Sequence, residues 1–245
     1  MNTQVVILAA GHGKRMQSEL PKALTSFSGR SFISHVLDSV ERSGVCADPI
    51  IVVGQKKDQV INALGQNYRY VDQDEQLGTG HAVMVCEGKS KEAENILVLY
   101  ADHPLVSSET IAKLASVHGD TDATITMAIS TVPDFNEWRS SFLSFGRLVR
   151  DKEGNLSKIV EAKDASEEEQ KIKEINPGYM CFEASWLWEH LHMLKNDNIQ
   201  KEYYLVDLIS MAFNEGKKIS TISIEPREAL GVNTKEQLEL IENLK

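Results

Sequence analysis

Apolar residues fall in two rhythms along the chain. Four short runs stand out: residues 5–10, 50–54 and 96–100 are apolar at nearly every position, and 123–130 mixes apolar residues with Thr and Ser. That is the pattern of strands buried on both faces. Between the first two, Phe32, Ile33, Val36, Leu37 and Val40 recur at helical spacing with Gly44 as a stop, and a second helix is predicted over residues 108–117. Strand and helix alternating in this way predict βαβ units around a mainly parallel sheet, an α/β fold.

The rhythm changes after residue 130. Residues 147–149 and 157–160 flank the turn-like run 151–155, which predicts an antiparallel hairpin. An acidic stretch at 164–173 follows, then a strand at 179–182, a helix at 186–194, a helix at 205–214 ending at Gly216, a strand at 219–224 and a closing helix at 235–244. No Pro/Gly/Ser-rich linker, internal repeat or hexapeptide β-helix periodicity interrupts this order. The expectation is one domain over 1–245: about 1–130 binding a nucleotide, about 131–230 a second substrate, and 231–245 closing the fold.

Charge narrows the partners. With 26 Lys and Arg against 36 Asp and Glu, the net charge of −10 opposes extended contact with nucleic acid or an anionic membrane. Cys46, Cys86 and Cys181 have no disulfide or metal-ligand spacing and are expected to be buried thiols of a reducing compartment. No signal peptide is apparent, and no run approaches the roughly 18 apolar residues a spanning helix needs. A cytoplasmic location is therefore expected. The negative balance also means that a phosphate-bearing substrate would require a local cation cluster or a metal ion.

The candidate chemistry begins where the first strand ends. Leu8, Ala9, Ala10, Gly11 and Gly13 are small or apolar enough to let backbone N–H groups approach phosphates, and Lys14 and Arg15 follow at once. The dinucleotide fingerprint is excluded because Met16 stands where its third glycine belongs, and the P-loop lacks its Gly-Lys-Ser/Thr ending. Pro21-Lys22 lies close behind and can bring a second ammonium to the same pocket. Residues 73–82 read Gln-Asp-Glu-Gln-Leu-Gly-Thr-Gly-His-Ala, with Gly78, Thr79 and Gly80 opening a helix. Gln73 offers both a donor and an acceptor to a base edge, although Gly78 and Thr79 also suit a simple helix start. Asp102 ends the wholly apolar strand 96–100, at the carboxyl edge where open α/β sheets bind ligands, and its carboxylate suits Mg²⁺. Asn233 offers either an amide oxygen to a cation or an N-cap to the last helix. His190 and His192, two residues apart, point to different helix faces and are no metal pair.

Leu8-x-x-Gly11-x-Gly13-x-Arg15-Met16 joined to Pro21-Lys22 resembles the sugar nucleotidylyltransferase superfamily. Gln76-Leu77-Gly78-Thr79-Gly80-His81-Ala82 narrows the likeness to the uridylyltransferase domains of bacterial N-acetylglucosamine-1-phosphate uridylyltransferases. Tyr100-Ala101-Asp102-His103-Pro104-Leu105 resembles the family's metal-binding strand end, with Ala101 and His103 departing from it. The resemblance spans nearly the whole chain and implies a Rossmann-like three-layer α/β/α fold with an antiparallel sugar-binding insertion. It implies transfer of UMP from UTP to a sugar 1-phosphate, with N-acetylglucosamine 1-phosphate foremost. It further implies Arg15, Lys22 and Asp102 as catalytic residues and Mg²⁺ held by Asp102 and Asn233. Leu8, Ala9, Ala10, Gly11, Gly13, Gln73, Gly78 and Thr79 would bind the nucleotide, and Gly146, Glu161, Asn176 and Tyr204 the sugar. Pro177 and Val206 depart from the acceptor-side pattern. Another hexosamine 1-phosphate or nucleotide, or a silent nucleotide-sugar-binding regulator, are the alternatives. The resembled bifunctional enzymes continue into a β-helix acetyltransferase domain, which is not expected within these residues, and the oligomeric state is left open.

Overall fold

The apolar runs pair as the central strands of one twisted sheet. The computed structural model describes residues 2–11, 13 and 19–244, so Arg15 lies outside the described residues. Strand β1 (Thr3–Leu8) is followed by a short hairpin of β2 (Ser26–Phe27) and β3 (Arg30–Ser31), then by α1 (Phe32–Ser43) and β4 (Ile50–Val53). Helix α2 (Lys57–Leu64), strand β5 (Arg69–Asp72), helix α3 (Thr79–Met84), strand β6 (Asn95–Tyr100), helix α4 (Ser108–Thr121) and strand β7 (Ile125–Thr131) complete the first half. Strands β5, β4, β1 and β6 lie side by side, all parallel. The chain leaves β1 toward β4 and β5 and then returns to its other side for β6. The order therefore reverses beside β1, and a crevice opens at the carboxyl ends of β1 and β6.

Alternate residues of these strands face two separate cores. Val6, Ile50, Val52, Ile96 and Val98 join one; Val5, Ile7, Ile51, Val53, Leu97 and Leu99 join the other. The first face is covered by α3, α6 (Ala184–Leu191) and α7 (Asp207–Asn214), the second by α1, α2 and α4. With both faces dry, every position must be apolar, which is why these strands read as continuous runs. Helix α1 is capped by Ser31, whose side chain accepts from the Ser34 N–H, and stops at Gly44 as its pattern predicts.

The second half is antiparallel at first. Strands β8 (Gly146–Arg150) and β9 (Leu156–Val160) form the predicted hairpin, and a single turn, α5 (Glu167–Gln170), follows. Strand β10 (Glu174–Asn176) pairs β8 and β7. Strand β11 (Met180–Glu183) then runs antiparallel between β6 and β7 in the main sheet, and β12 (Ile219–Ser223) runs parallel along β7. Helix α8 (Lys235–Asn243) closes the described chain. The fully buried Arg147 is satisfied by the carbonyls of Phe142 at 3.0 Å and of Phe145, and it lies 4.8 Å from the Phe135 ring. It fastens the 3₁₀ segment Glu137–Ser144 to β8.

Helix α2 and strand β5 are among the elements that escape the hydrophobic pattern. Helix α2 buries only Val60 fully and β5 only Val71, because both lie at the sheet's margin, so neither carries a readable stripe. The expectation of three buried thiols also needs correction: Cys86 and Cys181 are buried, but Cys46 is half-exposed where the chain enters β4. Among the described residues no helix is long and apolar enough to cross a membrane.

Candidate active site

The crevice beside β1 is a cleft of about 310 Å³ lined by Leu8, Ala9, Ala10, Gly11, Lys22, Gln73, Gln76, Gly78, Thr79, Tyr100, Asp102 and Glu202, among others. Nearly every described residue expected at the nucleotide is therefore gathered in one place. Gly13 lies just beyond: a methyl added to it would sit 3.1 Å from Cβ of Lys22, so the glycine loop and the Pro21-Lys22 turn touch.

Residues 73–80 form the opposite wall. The backbone N–H of Gly80 donates to Tyr203 at 2.8 Å, that of Tyr203 to Leu77 at 2.7 Å, and that of Leu205 to the Thr79 hydroxyl at 3.0 Å. Thr79 thus stitches this loop to the 203–205 segment rather than capping α3. Gly78 has φ 106°, and a Cβ there would lie 2.7 Å from the Tyr203 carbonyl, so no other residue fits without moving the wall. Gln73 requires a correction. Its amide N–H groups are committed to the Gly78 carbonyl at 3.1 Å and His81 Nδ1 at 3.2 Å, which leaves its carbonyl oxygen, an acceptor only, for a ligand. Gln76, which nothing in the sequence sets apart within residues 73–82, donates to the Ala10 carbonyl and ties the two walls together.

Lys22 and Asp102 form the floor, and Asn233, from a third segment, meets them there through Lys22. The Lys22 ammonium pairs with Asp102 Oδ2 and lies 2.6 Å from Asn233 Oδ1. The Val232 N–H donates to the Asp102 carbonyl at 3.0 Å, binding the loop after β6 to the loop before α8. Asn233 is not the N-cap of α8; Thr234 is, its hydroxyl accepting from Gln237 N–H at 3.2 Å. Burial is the largest single effect and works against the Asp102 carboxylate, but the Lys22 charge, the neighbouring His103, the Lys22 hydrogen bond and a backbone hydrogen bond together outweigh it and hold the carboxyl below its usual range. Lys22 was expected to face phosphate. Here it serves as counter-ion to these two oxygens, and it is the only cationic side chain lining the cleft among the described residues.

His103, the residue that departs from the family pattern, is a buried spacer. Its Nδ1 lies 3.0 Å from the Tyr179 hydroxyl, which itself donates to the Glu228 carbonyl at 2.7 Å, so Nδ1 carries the proton. Burial pushes the imidazole down to about 4, leaving it neutral at ordinary pH. At 3.9 Å from Asp102 it is then a contact and no ion pair. The ring fills the space a side chain at Gly231 would need, with Cδ2 2.9 Å and Cε1 3.1 Å from a Cβ built there.

A second cleft of about 310 Å³ opens among Glu161, Asp164, Lys195, Asp197, Asn198, Tyr204 and Asp207. Of the four expected sugar residues, Glu161 and Tyr204 line it, whereas Gly146 and Asn176 do not and adjoin it only through Glu161. Asn176 pairs with Gly146 across β10 and β8, and a Cβ on Gly146 would lie 3.3 Å from Glu161 Oε1. Asn176 Oδ1 accepts the Gly178 N–H at 2.9 Å, which orients its carboxamide and leaves both amide hydrogens for a ligand. The Tyr204 hydroxyl accepts from Gln200 at 2.7 Å. Burial, then Asp164, Asp207 and Glu202, push the Glu161 carboxyl up to about 7 against the opposing pull of Lys163. Glu202 lines the first cleft two residues before Tyr204 lines the second, so one segment borders both. The discounted histidines are occupied elsewhere: His190 stacks on Trp186 and bonds Glu215 at 2.8 Å, and His192 bonds Glu87 at 3.0 Å.

The chain is 38% identical over 238 residues to the bifunctional protein GlmU of Caldicellulosiruptor saccharolyticus, covering 95% of this chain and 50% of that protein. It is 41% identical over 245 residues to GlmU of Alkaliphilus oremlandii, covering 99% and 51%. It thus spans about half the length of these relatives. Among solved structures it superposes on a UDP-glucose pyrophosphorylase complexed with UDP-glucose with a TM-score of 0.76 at 17% identity, covering 100% of this chain and 98% of that one. A CMP:2-keto-3-deoxy-manno-octonic acid synthetase complexed with CTP gives 0.69 at 18% identity over 100% and 98%. These likenesses bear on the fold, a Rossmann-like α/β/α nucleotidyltransferase architecture. The model of the MobA-like NTP transferase domain matches residues 5–199, four-fifths of the chain, and the protein belongs to that family.

Proposed function

We propose that this protein transfers UMP from UTP to a sugar 1-phosphate, N-acetylglucosamine 1-phosphate foremost, releasing pyrophosphate. The observation that carries the reading is the meeting of Asp102 and Asn233 on the Lys22 ammonium, with Lys22 and Asp102 on the floor of a cleft whose walls are the glycine loop and residues 73–80. The identity to GlmU supports the choice of uridylyl donor and hexosamine acceptor.

The donor set suits Mg²⁺. One carboxylate and one amide oxygen already converge on a single cationic group, and Mg²⁺ favours a site of few protein oxygens completed by substrate phosphates and water. When bound by Asp102 and Asn233, Mg²⁺ would neutralise phosphate charge and help align the two substrates. The glycine loop would give backbone N–H groups to the triphosphate, with Arg15 and Lys22 as the expected cations. Gln73, with only its carbonyl to offer, would accept from uracil N3–H and find no donor at cytosine N3. On the acceptor side, Glu161, Gly146, Asn176 and Tyr204 would orient sugar hydroxyls. An oxygen of the sugar phosphate would form a bond to the α-phosphorus as the bond to the β-phosphate bridging oxygen breaks, and pyrophosphate would leave with the electron pair. The attacking oxygen is already anionic, so no general base is required, and catalysis rests on positioning and charge.

Pyrophosphate release should be measured across a panel of nucleoside triphosphates and sugar 1-phosphates with Mg²⁺. Turnover with UTP and N-acetylglucosamine 1-phosphate well above every other pair is expected. Preference for another nucleotide or sugar would reassign the substrates, and no release with any pair would sink the enzymatic reading.

A further inference from the structure

Lys22 is held more tightly than a phosphate-seeking lysine needs to be. Its side chain is only 12% exposed, and its ammonium contacts two oxygens contributed by two separate loops, Asp102 after β6 and Asn233 before α8. Those are the two oxygens assigned above to Mg²⁺. An ion bonded to both would come within repulsive range of the ammonium, so lysine and metal compete for one position. A bare divalent ion would have to break a shielded ion pair and strand the displaced ammonium beside a doubly charged neighbour, an unfavourable exchange. A triphosphate changes that balance, because it offers the ammonium a new anionic partner. The route is short, since the backbone of the glycine loop at Gly13 lies against the Lys22 stem.

We propose that Lys22 is the resident counter-ion of the metal site and yields Asp102 and Asn233 to the metal only when nucleotide phosphates arrive to receive it, so that metal and nucleotide bind together and not metal first. The inference rests on the metal assignment made above. Lys22 thereby keeps the site closed to free divalent ions and couples their entry to substrate.

The test is Mn²⁺ binding, followed by calorimetry and by electron paramagnetic resonance, to the wild-type protein, Lys22→Met and Lys22→Gln, each with and without UTP and in the absence of any acceptor. Removing a charge this close to a cation's ligands should tighten binding of Mn²⁺ alone by about tenfold or more. Mn²⁺ alone should also raise the melting temperature of the Lys22 variants and leave that of the wild type unchanged. UTP should strengthen Mn²⁺ binding to the wild type by a larger factor than to either variant. Equal or weaker binding of Mn²⁺ alone to both folded variants would overturn the exchange while leaving the metal assignment intact. Adding Asp102→Asn to Lys22→Met separates the two: loss of Mn²⁺ locates the ion at Asp102, whereas undiminished binding would overturn the metal assignment and this inference with it.

Discussion

Replacing Glu161 by glutamine should make the protein more stable at pH 8 while weakening acceptor use. Burial and the nearby carboxylates of Asp164, Asp207 and Glu202 hold the carboxyl at about 7 instead of the usual 4.5. Below pH 4.5 the group is protonated whether the chain is folded or not, and it contributes nothing. Between pH 4.5 and 7 the unfolded chain releases the proton while the folded chain retains it, so stability falls as pH rises and levels off above about 7. The gap from 4.5 to about 7 amounts to at most about 3 kcal/mol. Glu161 is partly open to the cleft, and screening reduces the figure to about 2 kcal/mol. In a chain of this size that corresponds to roughly 4–8 °C in melting temperature. The assay is thermal unfolding of wild type and Glu161→Gln across pH 4.5 to 8.5, read as the difference between the two so that other titrating groups cancel. The variant's advantage should be near zero at the acid end, grow through pH 7 and then plateau. A difference that does not vary with pH, or a variant less stable than wild type at pH 8, would refute the reasoning. In the same variant KM for the sugar 1-phosphate should rise, because a carboxylate retained against a folding penalty is explained by what it binds.

Asp102→Ala should abolish pyrophosphate release at ordinary Mg²⁺ while circular dichroism stays native, and retained turnover would remove the carboxylate from the proposed mechanism. Gly231→Ala should drive a methyl into the His103 ring and part the loops carrying Asp102 and Asn233. A stability loss of about 1–3 kcal/mol in chemical denaturation is expected, together with a higher Mg²⁺ requirement, and His103→Ala in the same chain should restore part of both. Gln73→Leu should lower kcat/KM for UTP by about 10- to 100-fold, since a buried hydrogen bond to a base is worth about 1–3 kcal/mol. CTP should be affected far less, and equal losses for both nucleotides would show that Gln73 only supports the wall.

The α/β class, the central strands and the helix that stops at Gly44 were legible in the amino-acid order because they depend on local periodicity. A strand dry on both faces has to be apolar throughout, and a helix between sheet and solvent has to be striped. The same holds for the hairpin around 151–155, where turn residues interrupt two strand-like runs. Helix α2 and β5 were not legible, since marginal elements bury one side chain each and leave no pattern.

The candidate site divides along the same line. Its residue types were readable in sequence: a glycine loop that lets backbone approach phosphate, a carboxylate at a strand end, and amide side chains for a base and a sugar. How those groups face one another was decided by contacts between segments far apart in the chain, which no local spacing records. Lys22 and Asn233 are 211 residues apart and meet beside Asp102, whose loop after β6 is tied to the loop before α8 by the bond from Val232 to Asp102. Gln73 becomes a pure acceptor only because Gly78 and His81 take its hydrogens, and the Asn176 carboxamide is oriented by the Gly178 N–H. His103 reads in sequence as an oddity beside a metal ligand; in the fold its ring replaces the side chain that Gly231 lacks. Sequence determined the chemistry available to this protein, and tertiary packing decided which hydrogen-bonding face of each group the cleft receives.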